Sequence, residues 1–316
     1  MDVAVLGAGT IGSTVAYVLA TECRDVDVRL VDVETGRSRG HAIDIAHATA
    51  HVAHSVGGVV GSRATSIEAV DPGPAAVAGV DCLVVTASAP RPDSASHRGG
   101  RLAWLESNRD IVSTIADWLR ETDPCPVLCV TNPLDVLTYQ LYRESGWPRH
   151  RFVGYSLSET ARIADELARR YDVDHEAVYC PVIGEHGEQM VPVFSRATID
   201  GERLGLSPEE RDQVVDYMLD VPYDVIELRG EADSSRWVTG RGVALAAWAI
   251  LQGGVDEPVG LSTPLDGEYG YTDVSLSVPV RLDAEGVTEI VEWELSGWER
   301  QRLNDARDAV AVHCAE

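Results

Sequence analysis

The chain opens on an apolar run, Met1 to Leu6, that predicts a short buried strand. A glycine-rich turn follows, and Ile11, Val15, Val18 and Leu19 then recur at the spacing of one helical face. Val26 to Val31 predicts a second strand, ending on Asp32. Beyond it the pattern predicts a helix over 36–52, a strand near 55–60 and a loop around Pro72-Gly73-Pro74. A buried strand is predicted over 81–88, and residues 89–101 show no periodicity. A helix over 101–120, a strand over 126–130, a helix over 134–145 and a last strand at Phe152-Val153 complete the alternation. Strand and helix in strict alternation imply an α/β fold with a doubly wound parallel sheet over residues 1–153.

From residue 154 to 316 the pattern changes to α+β, as expected of a second domain. Helices are predicted over 158–171, 207–228, 237–252 and from 296 onward. Strands are predicted over 178–183, 191–199, 258–280 and 287–293.

The first turn reads Gly7-Ala8-Gly9-Thr10-Ile11-Gly12, a G-x-G-x-x-G placed between a strand and a helix. In that context Gly7 permits the tight turn, Gly9 lets the backbone approach a pyrophosphate, and Gly12 lets helix and strand pack closely. The helix N-terminus offers free N–H groups and a positive dipole end to phosphates. Asp32 can accept hydrogen bonds from ribose hydroxyls, and its charge opposes a 2′-phosphate, which favours NAD over NADP.

Composition narrows the classes. There are 51 acids against 26 bases, a net charge of −25, and every one of those bases is arginine. Such a surface repels nucleic acid and anionic membrane. Its self-repulsion is screened once the Debye length shrinks to roughly 3 Å in about 1 M salt, so a cytoplasmic protein of a halophile is expected. No apolar run is long enough to span a bilayer, and the first strand starts at the first residues, so no leader is expected. The six cysteines show no C-x-x-C pairing and read as reduced thiols.

Four groups of residues could carry chemistry. Gly184-Glu185-His186-Gly187 sets an imidazole, able to give and take a proton near neutrality, between glycines at a strand end. Glu159 and Arg162 share a helical face; they read either as a surface ion pair or as separate partners for an imidazole and a substrate carboxylate. Arg91, Arg98 and Arg101 bracket the aperiodic loop. Asp44, His47 and His51, with His41 and His54 nearby, could hold a metal by residue type, but packing is the preferred reading and no metal is assigned.

Together with Thr131-Asn132-Pro133, Val191-Pro192-Val193-Phe194-Ser195, Arg241-Gly242-Val243-Ala244 and the 286–293 stretch, these motifs run almost end to end. The chain resembles the L-lactate/malate dehydrogenases, and within them those of halophilic archaea. The resemblance implies a Rossmann first domain and NAD as cofactor, contacted through Gly7, Gly9, Thr10, Ile11, Gly12, Asp32, Thr86, Ala87, Asn108, Val130 and Asn132. It implies that His186 exchanges the proton and that Glu159 partners it. Arg162 would clamp the substrate's C1 carboxylate, with Asn132 beside it. Arg101 would polarise the carbonyl, and Arg91 would pair with a second carboxylate. The helix carrying His47 would lie at a subunit interface, in a homodimer or homotetramer.

Three departures from the family pattern all border the substrate. Glu159 stands where the family has aspartate, an extra methylene worth about 1 Å. Arg91 and Arg101 are ten apart, wider than the family spacing, so Arg98 could replace either. The stretch Ala232 to Arg236 is longer than the pattern and should line the far side of the pocket. The expected activity is reversible hydride transfer between NAD(H) and a small 2-hydroxy/2-oxo acid, malate and oxaloacetate favoured by Arg91. Lactate and pyruvate, a bulkier 2-oxo acid, or a catalytically silent NAD-binding homologue are the alternatives.

Overall fold

A computed structural model describes residues 1–53, 66–92, 100–230 and 235–315. Six parallel strands form the first part of a large sheet: β1 (Asp2–Leu6), β2 (Asp27–Val31), β3 (Ile67–Val70), β4 (Cys82–Val85), β5 (Val127–Cys129) and β6 (Phe152–Gly154). Their order is β3-β2-β1-β4-β5-β6. Val3, Val5, Leu83, Val84, Val127 and Leu128 are fully buried. Helices cover both faces of such a sheet, which is why these strands read as continuous apolar runs. The described helices here are α1 (Thr10–Glu22), α2 (Thr35–Thr49), α3 (Pro74–Val77), α4 (Leu105–Arg120) and α5 (Leu134–Ser145). The strand order reverses between β1 and β4, and the crevice outside the carboxyl ends there is where such sheets bind ligands.

The second half contributes α6 (Leu157–Tyr171), β7 (Val178–Tyr179), β8 (Val182–Gly184), β9 (Met190–Pro192), β10 (Thr198–Ile199), β11 (Glu202–Arg203), α7 (Pro208–Arg229) and α8 (Arg236–Leu251). The long hairpin β12 (Val255–Asp266) and β13 (Thr272–Asp283), then β14 (Gly286–Ile290) and α9 (Gly297–Cys314), complete it. The hairpin continues the first sheet: β12 lies antiparallel to β6 at Ser262–Gly154, and β8 meets β13 at Gly184–Ser277. The helical layer also joins the halves. A Cβ on Gly240 of α8 would come 2.5 Å from Thr14 Cγ2 of α1, so glycine sets that close approach. Ser207 and Ser296 open α7 and α9 with reciprocal capping boxes to Glu210 and Glu299.

Several expectations are corrected. The stretch 178–183 is two strands in different sheets, broken at Cys180-Pro181, where proline has no N–H to pair. The stretch 191–199 is likewise β9, a 3-10 turn over Phe194–Arg196, and β10. The helix predicted from 101 begins as a 3-10 turn over Gly100–Trp104. Pro74, read as loop, opens α3 at a position where proline's missing N–H is harmless. The predicted strand at 55–60 lies outside the described residues, while β3 at Ile67–Val70 pairs with β2 and was not foreseen, its burial being only partial.

Candidate active site

One cleft of about 1120 Å³ runs along the carboxyl ends of the parallel strands. Gly7, Gly9, Thr10, Ile11 and Asp32 line one end; Thr86, Ala87, Val130 and Asn132 line the middle; Arg91, Arg162 and His186 line the other. The fold therefore gathers residues as far apart in sequence as Leu6 and Thr239 into one wall.

The strand ends are locked together by hydroxyls. Thr86 Oγ1 donates to the Gly7 carbonyl at 2.9 Å, and Thr131 Oγ1 donates to the Ala87 carbonyl at 2.8 Å. Gly7 has φ +101°, a left-handed conformation suited to glycine. A Cβ on Gly12 would overlap the Gly7 carbonyl oxygen and come 2.6 Å from Thr86 Oγ1. Gly12 thus sits behind the turn, while among the described residues nothing lies within 4 Å of a Cβ position on Gly9. Among the described residues no side chain caps the N-terminus of α1, the kind of helix end at which backbone N–H groups and the dipole favour an anion. Asp32 is buried; its oxygens accept from Ala8 N at 2.7 Å and Glu34 N at 2.8 Å. Arg37 lies 3.8 Å from it.

Asn132 precedes the cis peptide to Pro133. Its Oδ1 is buried with no hydrogen-bond partner among the described residues, an arrangement a carboxamide N–H would satisfy. An open phosphate-sized turn, a ribose-facing carboxylate and this lone acceptor fit a nicotinamide dinucleotide laid along the cleft. Asn108, expected among the cofactor contacts, is off the wall and fully buried. Its Nδ2 donates to the Asn132 carbonyl at 2.7 Å and its Oδ1 accepts from Ala89 N at 2.8 Å. It braces the wall from behind, because an amide carries both a donor and an acceptor.

At the other end, His186 follows β8, and its Nδ1 lies 3.0 Å from Glu159 Oε2. Glu159 is fully buried near the start of α6, and its Oε1 lies 3.6 Å from Arg162 one turn on. One carboxylate therefore orients the imidazole and holds the guanidinium beside it. The longer side chain reaches the ring in spite of its extra methylene. Arg91 stacks its guanidinium 4.9 Å over the Trp104 ring, and Trp104 Nε1 donates to the Pro90 carbonyl at 3.2 Å. Arg101 lies in the 3-10 turn before α4, its side chain outside what is described, and Arg98 lies outside the described residues.

Asp135 was missed by the sequence reading. Its Oδ2 accepts from the His186 backbone N–H at 2.7 Å and its Oδ1 from Ser262 Oγ at 2.6 Å. It ties α5, the His186 loop and β12 into one joint. Burial pushes its carboxyl up to about 7, against the opposing effect of the Ser262 and His186 hydrogen bonds. The available signal was a single acid inside the otherwise apolar Pro133-Leu134-Asp135-Val136-Leu137. Trp104 was also unassigned, whereas Arg236, in the stretch expected at the far side of the pocket, lines the cleft. Among the described residues no grouping of three metal-ligating side chains occurs, and no helix is long and apolar enough to cross a membrane. His54 lies outside the described residues.

Residues 1–154 match the lactate/malate dehydrogenase NAD binding domain, and residues 159–311 match the lactate/malate dehydrogenase alpha/beta C-terminal domain. A malate dehydrogenase of Halobacterium salinarum is 34% identical, over 99% of this chain and 98% of its own. Two solved structures from Cryptosporidium parvum both superpose with a TM-score of 0.88. One is a malate dehydrogenase, 26% identical, covering 99% of this chain and 98% of its own. The other is a lactate dehydrogenase complexed with lactic acid and nicotinamide adenine dinucleotide, 25% identical, covering 99% and 96%. Equal superposition on both means that backbone shape does not separate the two substrates; side chains must.

Proposed function

The chain belongs to the lactate/malate dehydrogenase family, and from that premise we propose that it is an NAD-dependent L-2-hydroxy-acid dehydrogenase acting preferentially on malate and oxaloacetate. The observation that carries the reading is the His186–Glu159–Arg162 group at the far end of a cleft that begins at the glycine turn. We assign cofactor binding to residues 1–153 and substrate binding mainly to 154–316.

The glycine turn and the α1 N-terminus take the pyrophosphate, Asp32 the adenosine ribose, and Asn132 the carboxamide end. When bound there, the cofactor would supply reversible hydride-transfer chemistry for substrate C2. Arg162 grips the C1 carboxylate through two parallel hydrogen bonds. That fixes the substrate oxygen within reach of His186, and orientation of this kind is a large part of catalysis. In reduction the protonated ring of His186 gives its proton to the carbonyl oxygen as the alkoxide forms; in oxidation the neutral ring removes the hydroxyl proton. The Glu159 carboxylate stabilises the imidazolium and fixes the ring's tautomer, so that Nε2 faces substrate. Arg101 offers its positive charge to the developing alkoxide, and Arg91 supplies the counter-charge for a second carboxylate. Asn108 supports Asn132 from behind.

The acid excess and the resemblance to a halophilic relative support a protein that works in concentrated salt. We infer a homo-oligomer in the cytoplasm on the strength of the family alone. The deciding experiment is a panel of 2-oxo acids with NADH in molar salt. Preference for oxaloacetate supports the assignment; preference for pyruvate moves it to lactate, and turnover of none of them leaves an NAD-binding homologue without catalysis.

A further inference from the structure

We propose that Asp135 is a positioning residue for the reaction: through its bond to the His186 backbone it sets the place of the proton-carrying ring relative to Asn132, which receives the nicotinamide end of the cofactor. The proposal rests on the dehydrogenase reading above. It adds a residue that acts from behind the site, since Asp135 lies off the cleft wall and is 3% exposed.

Hydride and proton reach one substrate carbonyl from two parts of the fold. Asn132 stands just past β5 and His186 just past β8. Their separation has to be fixed, because a displacement of about 1 Å can cost on the order of 100-fold in rate. Asn108 already holds the Asn132 carbonyl, at 2.7 Å. Asp135 follows three residues after Asn132, in the first turn of α5. Its Oδ2 accepts from the His186 N–H at 2.7 Å, while the His186 ring meets Glu159 of α6 at 3.0 Å. The histidine is thus held at two points, its backbone by α5 and its ring by α6. The loop around it is closed on itself: Gly187 N donates to the Glu185 carbonyl and Gln189 N to Glu185 Oε2, both at 2.8 Å. A tie at one backbone atom therefore places the whole loop.

The other oxygen of Asp135 is fixed as well. Oδ1 accepts from Ser262 Oγ at 2.6 Å, and Ser262 Oγ lies 3.0 Å from Ser275 Oγ, both serines being fully buried in the β12–β13 hairpin. An acid in the first turn of a helix is ordinarily explained by the helix dipole. The bonds of this carboxylate, however, run to residues 51 and 127 positions away. Glu185 and Glu159, the charges that act on it, carry its own sign, so the local field disfavours an ionised acid there. What the position requires is an oxygen acceptor for the His186 N–H. A carboxyl held at about 7 supplies one in either state. Ionised, it accepts at both oxygens; protonated at Oδ1, it donates to Ser262, whose hydroxyl turns to Ser275. Oδ2 accepts from His186 throughout.

The test is steady-state reduction of oxaloacetate by NADH for wild type, Asp135→Ala, Asp135→Asn and Ser262→Ala. The value of kcat is counted per NADH-binding site, titrated by fluorescence, so that unfolded chain is excluded. Asp135→Ala removes the acceptor and should lower kcat about 10-fold or more. The KM for oxaloacetate and the NADH affinity should move by about 2-fold at most, because Arg162 and the glycine turn are untouched. Asp135→Asn keeps an oxygen for the His186 N–H and should recover most of kcat. Ser262→Ala releases Oδ1 and should lower kcat by about 2- to 5-fold, which carries the test should Asp135→Ala fail to fold. A second readout needs no turnover. In protein labelled with 13C-histidine, the His186 Cε1 signal is identified by its loss in His186→Asn. It should shift in Asp135→Ala and Ser262→Ala and return toward the wild-type position in Asp135→Asn. A purely structural role would lower the melting temperature and leave per-site kcat and that signal in place. Unchanged per-site kcat, an unmoved signal, or a loss as large in Asp135→Asn as in Asp135→Ala overturns the proposal. A wild type that reduces no 2-oxo acid sinks the dehydrogenase reading instead, and the histidine signal alone then decides on Asp135.

Discussion

The imidazole of His186 and the carboxylate of Glu159 face one another across 3.0 Å, although 27 residues and a change of element separate them. The carboxylate is fully buried and the ring lines the cleft, so the pair has one side sealed by protein and one open to substrate. A buried acceptor on Nδ1 leaves Nε2 to exchange the proton with whatever occupies the cleft.

Replacing His186 by Asn removes the proton carrier and keeps the loop. Turnover of oxaloacetate should fall by roughly 100-fold or more, while NADH still binds, as fluorescence titration would report. Glu159→Gln should give a smaller loss in kcat with little change in NADH affinity. Should His186→Asn retain wild-type turnover, the proton-transfer role belongs to another group.

Asp135 gives a pH prediction for stability. An aspartate in the unfolded chain titrates near 3.9, whereas burial holds this one at about 7 in the folded state. Between those values the native protein keeps a proton that the unfolded chain has released. Its contribution to stability is therefore greatest below about pH 4 and is lost as pH rises through about 7, an effect on the order of a few kcal/mol. Asp135→Asn removes that titration, and its amide can still accept from the His186 N–H and donate to Ser262. Urea unfolding at about pH 5 and about pH 8 should show wild type losing stability relative to the variant. Parallel changes in the two proteins would refute the assignment.

Gly12→Ala places a methyl group where the Gly7 carbonyl already lies. The turn must open or α1 must move, and both disturb the phosphate-binding N-terminus. NADH affinity should drop at least 10-fold, a loss of about 1.4 kcal/mol or more. Gly9→Ala meets no atom of the described residues and should leave thermal stability near wild type while weakening NADH, because its methyl group intrudes on the ligand. Equal cofactor affinity in wild type and Gly9→Ala would remove the pyrophosphate from that position.

Net charge gives the last prediction. With 51 acids and 26 bases, self-repulsion should lower the melting temperature in dilute buffer. Raising potassium chloride to about 1 M shortens the Debye length to roughly 3 Å, and the melting temperature should climb steeply below that concentration. A melting temperature independent of salt would show that the acid excess is energetically idle.

The alternation of apolar runs and helical faces over 1–153 was legible because parallel strands buried on both sides leave no polar positions. The glycine turn and Asp32 were legible for a related reason: a motif confined to consecutive residues carries its own geometry. Short strands were less so. The break at Cys180-Pro181 and the half-buried β3 lack a period long enough to read. Asn108 illustrates a different limit, since an asparagine that touches a ligand and one that braces its neighbour look the same in sequence.

By itself, then, the sequence determined the doubly wound front half, the dinucleotide turn, the strongly acidic surface and the residue types available for proton transfer. These follow from local spacing and from composition, which need no knowledge of distant partners. Packing in three dimensions settles that Glu159 reaches His186 in spite of its extra methylene, and that Asp135 bonds the His186 backbone. Each of these depends on how α5, α6 and the β12–β13 hairpin pack against one another. A contact between side chains far apart in the chain is fixed by that packing and leaves no period in the sequence.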